Sequence, residues 1–442
     1  MRVGLIAMSG VRVRDPQLHA LGLTLPGFVE RGEVIASLPS LGLLTLAGMT
    51  PPGIEVEYVE VDELGPDGWV PGEFDAVAIS SFTARIQSAY RLADRYRALG
   101  TKVLLGGLHV TLCPDEAAGH ADAIVIGEGE PVWPGLVDDL VHGCLKSVYD
   151  ARGSTFDLGA APIPRYSLLA GREVDRYTLQ TQRGCPWDCE FCAASIRLAP
   201  GLRCKPANLI QEEVAAIRDL VPRPFLELAD DNTFASKAHG REVVKALQPS
   251  GLRWFTETDV SFAGDADLVA RAADAGCVQV LIGLESPKVA GLQGVERKVD
   301  WKADQAGRYL RAIDVIQDRG ISVNGCFVLG LDGEGVDSFD GVLDFVAASG
   351  LHEVQVTVQT PFPGTPLYAR LEREGRLLAP GEWDRCTLFD VLFEPTSMAV
   401  NELRAGLRRL TSELYTADAV AARRARFRDQ RRAATRRAQA GS

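Results

Sequence analysis

The chain has 442 residues, of which 46% are hydrophobic and 24% charged, the balance of a globular protein of two or three domains. Disorder throughout is excluded, and a formal net charge of −12 argues against a general nucleic-acid binder. No apolar run approaches the ~20 residues that span a bilayer, and nine cysteines are too sparse for a disulfide scaffold, so a cytoplasmic, reducing setting is expected.

Residues 1–145 read as alternating strand and helix. Strands are predicted at Arg2–Met8, Ile54–Val61, Asp75–Ser80, Lys102–Gly106 and Asp122–Gly127, and helices at Ile86–Leu99 and Pro131–Val141. The strands are short and rich in Val and Ile, which suits a parallel sheet covered on both faces. Ligands of such sheets sit beyond the carboxyl ends of the strands. Those ends carry Ser80, Ser81 and Thr83, then Gly106, Gly107 and His109, then Gly127 and Glu128. Residues 146–176 carry Gly, Pro and Ser with weak periodicity and read as a linker.

A second βα series is predicted over 177–370. Its strands are Tyr177–Arg183, Pro224–Ala229, Arg253–Asp259, Cys277–Gly283, Ile321–Leu329 and Glu353–Thr360. Six units stop short of a closed eight-unit barrel, so a partial (βα)6 barrel with an open side is expected. Residues 371–442 read as a helical carboxyl-terminal region. Eight arginines between Arg423 and Arg437 against one Asp suggest a solvated helix, or a surface for an acidic partner.

Three cysteines crowd into Cys185-Pro186-Trp187-Asp188-Cys189-Glu190-Phe191-Cys192, directly after the first strand of the second series. In a barrel, the loops after strands carry the chemistry. Three thiolates can hold three irons of a cubane cluster and leave the fourth open to a small molecule. The alternative is a zinc-stabilised binding or scaffold protein with Cys204 as fourth ligand.

Cys185-x3-Cys189-x2-Cys192, followed by five more βα units, resembles the radical S-adenosylmethionine (SAM) superfamily. The resemblance implies a [4Fe–4S] cluster on those three cysteines. It also implies SAM bound at the open iron and cleaved to a 5′-deoxyadenosyl radical, with electrons from a donor such as flavodoxin or ferredoxin. It places Phe191 and Gly330 near the adenine, and Gly283 and Glu285 near the ribose or methionine part. Asp230-Asp231-Asn232 stands where the superfamily has Gly-Gly-Glu-Pro.

The segments Leu38–Gly48, Gly106–His109 and Gly127–Glu130 resemble the cobalamin-binding branch of that superfamily. The resemblance implies a Rossmann-like cobalamin-binding domain in front of the barrel. A corrin needs a broad ledge of small residues, which Gly106, Gly107, Gly127 and Glu128 would border. Ser80, Ser81 and Thr83 are candidates for its nucleotide tail, and His109 for its amides. No G-x-G-x-x-G follows the first strand, which weighs against a dinucleotide. His19-Ala20-Leu21-Gly22 matches half of a cobalt-ligand motif, but Asp15 lies four residues before His19 rather than two. The expected function is cobalamin-dependent methylation of an unactivated carbon in a small molecule or natural product, with SAM used both as methyl source and as radical source. Radical cyclisation, rearrangement or oxidation is the alternative outcome.

Overall fold

A computed structural model describes residues 1–21, 38–193 and 201–440. Two six-stranded parallel sheets organise the chain. The first contains β1 (Arg2–Met8), β2 (Glu55–Val61), β3 (Ala76–Ser81), β4 (Lys102–Gly106), β5 (Ala123–Ile126) and β6 (Val148–Asp150) in the order β2-β1-β3-β4-β5-β6. Its central strands are buried on both faces, as in β1 with Leu5 and Ile6 and in β3 with Ala76 and Val77, all fully buried. The order reverses at β1 and β3, which opens a crevice at their carboxyl ends. β6 lies within the stretch read from sequence as a linker. Three residues with only Tyr149 buried give no periodic signal, yet they pair with β5.

The second sheet begins with β7 (Tyr177–Leu179). The single strand expected over Tyr177–Arg183 is broken after Leu179. Its continuation, β8 (Gln182–Arg183), pairs antiparallel with β9 (Arg203–Cys204) outside the sheet. Asp230 causes the break. Its buried carboxylate accepts from the backbone N–H of Thr181 at 2.7 Å and of Gln182 at 3.0 Å, which takes those groups out of the ladder. The sheet resumes with β10 (Phe225–Leu228), β11 (Arg253–Thr258), β12 (Cys277–Glu285), β13 (Ser322–Leu329) and β14 (Glu353–Val358). These strands lie in sequential order, β14-β13-β12-β11-β10-β7, with amphipathic helices such as Ala207–Leu220 and Lys237–Leu247 between them. The result is an open partial barrel. A closed barrel fills its interior with branched apolar side chains. Here Glu257, Asn232, Gln355 and Gln359 face a cavity instead.

The carboxyl-terminal region is α-helical at Pro366–Arg373, Val400–Leu414 and Ala417–Ala440. Between Glu374 and Ala399 it runs without an α-helix, because Gly375, Pro380, Gly381 and Pro395 interrupt any helical period. The arginine-rich helix is docked. Arg426 donates to the carbonyls of Ala347 and Ala348 at 2.7 and 3.0 Å, capping the helix Ser338–Ser349. Arg424 pairs with Glu353 and Arg437 with Asp318. Cations at a helix carboxyl end satisfy its orphan carbonyls and its dipole.

Candidate functional site

The two sheets point the carboxyl ends of their strands at a common space. A cavity of about 780 Å³ lies there. From the first sheet it is lined by Ser80, Ser81, Thr83 and Gly107, and from the barrel side by Thr178, Phe191, Cys192 and Phe362. A second cavity of about 320 Å³ continues downward between the helix Leu41–Met49 and the sheet, over Ala78, Leu104, Gly106, Val125 and Gly127. The two share Ser80, Gly107 and Ala229. A third, of about 420 Å³, occupies the barrel interior and shares Phe191, Cys192, Phe362 and Leu388 with the first.

The upper ledge is made by chain geometry. Gly107 has φ +104°, and a Cβ there would meet Ser80 Oγ at 3.2 Å, so only glycine leaves the ledge flat at no strain. Small strand-end residues above a narrow apolar groove fit a broad macrocycle with a planar tail.

Cys185, Cys189 and Cys192 all line the barrel cavity. Their loop is fastened on several sides. The Gly184 N–H donates to Asp231 at 3.1 Å, and the Glu190 N–H to the Val295 carbonyl at 2.9 Å. Trp187 Nε1 donates to Asp259 at 3.0 Å, and its ring stacks on Trp301 with centroids 4.4 Å apart. Glu190, between the second and third cysteines, forms a two-pronged pair with Arg370. Three thiols on one cavity wall suit a cubane cluster whose fourth iron takes no protein ligand. Burial pushes the Cys185 thiol up to about 11 and the Cys189 thiol higher still, against the pull of nearby Lys302. A bound metal charge reverses that preference.

Gly283 and Glu285 end β12 on the same cavity. Glu285 has φ +58°, and its carboxylate accepts from Lys302 Nζ at 2.8 Å. Lys302 also reaches the Gly283 carbonyl at 3.1 Å. A Cβ on Gly283 would sit 2.5 Å from Glu285 Oε1, so the missing side chain makes room for this pair. Lys302 lies seventeen residues beyond Glu285, with no motif to mark it in the sequence. Glu257 projects into the same cavity, where burial beside Glu227 and Asp231 pushes its carboxyl up to about 8.

Several residues expected at cofactor contacts are placed elsewhere. His109 is fully buried and lines none of these cavities. The helix that starts at Leu108 turns its ring under the ledge against Trp383, at 5.4 Å. Gly330 faces the carboxyl-terminal region, where a Cβ would meet Leu403 and Phe393 at 2.9 Å. Glu128 borders the groove, but its carboxylate is taken up by Arg183 at 2.6 Å, Arg203 at 2.8 Å and the Phe156 N–H at 3.2 Å. With Glu130, which pairs with Arg183 at 2.8 Å, it clamps the first domain to the strand that precedes the cysteine loop. Asp15 caps its own helix through the Gln17 and Leu18 N–H groups and pairs with Arg408, so its carboxylate is already engaged, and its carbonyl accepts from the His19 backbone N–H at 2.9 Å. Gly22 lies outside the described residues.

The fold and site thus define a two-domain protein, with a corrin-type ledge facing an open barrel that carries a three-cysteine loop. Residues 31–137 match the B12 binding domain, residues 179–346 the Radical SAM superfamily, and residues 365–442 a domain of unknown function. Bacteriochlorophyllide d C-12(1)-methyltransferase of Chlorobaculum tepidum is 27% identical over 402 residues, spanning 89% of this chain and 85% of that protein. Bacteriochlorophyllide d C-8(2)-methyltransferase of the same organism is 28% identical, spanning 78% of each. The solved structure of the radical SAM methyltransferase TsrM from Kitasatospora setae superposes with a TM-score of 0.65 at 15% identity, covering 98% of this chain and 99% of that one. The chain belongs to the cobalamin-binding-domain-containing radical SAM enzyme family. Its cofactors are a [4Fe–4S] cluster, SAM and cobalamin, which sets aside the zinc-scaffold alternative. Among the described residues, no helix is long and apolar enough to cross a membrane.

Proposed function

We propose that this enzyme methylates an unactivated carbon of a small molecule that enters between the two domains. One observation carries this reading: Ser80, Thr83 and Gly107 line the same cavity as Phe191 and Cys192. When bound, the cluster with SAM supplies a hydrogen-abstracting radical, and cobalamin supplies methyl-carrying chemistry.

Cys185, Cys189 and Cys192 hold the cluster. The strand ends of the first domain hold the corrin, and the groove beneath Gly106 takes its nucleotide tail. Phe191 packs at the boundary and shields the barrel from the corrin side. Lys302 holds Glu285 at the barrel cavity, where it would serve SAM, and Asp259 fixes Trp187 so that the cysteine loop keeps one shape. Pro361–Pro366 walls the open rim and is tied to the cysteine loop by the Leu367 N–H, which donates to the Glu190 carbonyl at 3.1 Å. Val11, Leu108, Phe362 and Leu388 keep the cavity walls apolar, which excludes water from reactive carbon centres and suits a substrate with an extended apolar frame. An electron donor of the flavodoxin or ferredoxin type and a cytoplasmic setting complete the reading.

The test uses anaerobically reconstituted enzyme, a strong reductant, SAM carrying a trideuterated methyl group and a panel of apolar ring-containing substrates. A product heavier by one labelled methyl group in place of hydrogen is expected. A product lighter by two hydrogens or heavier by one oxygen would replace methylation with ring closure or oxidation.

A further inference from the structure

We propose that His109, Cys113 and Glu116 form a second metal site, of the zinc type, at the seam between the corrin-binding domain and the carboxyl-terminal segment. Their spacings of four and three residues bring them together across the junction of two short helices, Leu108–Leu112 and Pro114–Ala118, which meet at Cys113. The donor atoms of the three residues all lie within 4.8 Å of one another, and His109 Nε2 is 4.0 Å from Glu116 Oε1. Donor atoms around tetrahedral zinc are about 3.3–3.8 Å apart, so a small side-chain adjustment closes the set.

The independent observation is the histidine. Its side chain is fully buried, and neither ring nitrogen has a hydrogen-bond partner among the described residues. A buried polar group left unpartnered is costly. A metal at Nε2 satisfies one of the two nitrogens. Imidazole, thiolate and carboxylate together favour zinc over magnesium or calcium, and three protein donors leave a fourth position for water.

The surroundings supply an orienting partner of the kind that metal ligands carry. Trp383 Nε1 donates to Glu116 Oε2 at 2.9 Å, and Oε1, which accepts a longer bond from Gln87 Nε2 at 3.4 Å, lies toward His109. Trp383 belongs to the segment whose Cys386, Thr387 and Leu388 line the interdomain cavity. His109 follows Gly107 of the ledge by two residues. A metal here fastens the cover of the cavity to the ledge beneath it.

The test is metal analysis and zinc-edge X-ray absorption on the full chain, with cluster and cobalamin loaded and one equivalent of zinc supplied. About one zinc per chain is expected beside full iron and cobalt, with one sulfur in its first shell. Cys113→Ser is expected to weaken zinc binding at least tenfold with iron and cobalt unchanged, and His109→Gln to do the same. Zinc with three sulfur neighbours would mean capture by the cysteine loop and would overturn the proposal. So would failure to retain zinc in the fully loaded wild type, or zinc retained by both variants.

Discussion

The two parallel sheets are built alike and used differently. The first lines its cavities with Gly106, Gly107, Gly127, Ser80 and apolar side chains, its only charges among the described residues being Glu128 and Glu130, while Arg183 and Asp231 reach the same space from the second domain. The second lines its cavity with Asp231, Glu257, Asp259, Glu285, Lys302 and four cysteines, the three of the loop and Cys326. A broad macrocycle rimmed with neutral amides would be held by shape and backbone, whereas a charged sulfonium beside an iron–sulfur cluster would be held by buried charges and their partners. Damage to the first sheet should therefore be local and steric. Damage to the second should spread through paired charges.

The largest effect is expected for Cys189→Ala, which removes one of the three proposed cluster ligands. SAM cleavage to 5′-deoxyadenosine should fall by a factor of about 1,000 or more, with iron content reduced and cobalt content unchanged. Next is Lys302→Met, which leaves Glu285 uncompensated in a buried site. Breaking a buried pair in this way costs about 3–5 kcal/mol, read as a large drop in Tm and in cluster retention.

Gly107→Val should act on the other sheet alone. It forces a β-branched residue to φ +104° at about 1–3 kcal/mol of strain and fills the ledge. Cobalt content after reconstitution should fall at least tenfold while iron and 5′-deoxyadenosine formation persist. Equal loss of both cofactors would break the contrast between the sheets.

The smallest effect concerns Glu334, which accepts from Ser286 Oγ and the Gly330 N–H and braces the ends of β12 and β13. Burial raises its carboxyl to about 7. A carboxyl raised in the folded state favours folding while protonated, and that support is lost as pH climbs from the unfolded value toward 7. Glu334→Gln should therefore cost Tm at pH 5 and cost less, or gain, at pH 8.5. A difference constant over that range would contradict it.

Much of this was legible in the sequence. Ten of the fourteen described strands were foreseen within two residues at each end, because apolar runs rich in Val and Ile end at Gly, Ser or Asp; β6 to β9 were not. Cys185, Cys189 and Cys192 stood out by spacing, and the structure gathers them on one cavity. What escaped depends on contacts between distant segments. Lys302 and Asp259 carry no motif, and they acquire roles only when the helix Trp301–Gln305 folds back onto Glu285 and the end of β11 meets the cysteine loop. His109 and Glu128 sit within legible motifs, but helix direction and the two arginines Arg183 and Arg203 decide where their side chains go. The docking of Arg424 and Arg426 was hidden because a charge run looks the same in solvent and over helix carboxyl ends.

The claim that both cofactors serve one cavity is tested most directly by pulsed electron paramagnetic resonance on enzyme holding cob(II)alamin and the reduced cluster. Magnetic coupling that broadens and speeds the relaxation of the cobalt signal upon cluster reduction is the predicted result. A cobalt signal unchanged by cluster reduction, with both centres fully loaded, would contradict the shared cavity.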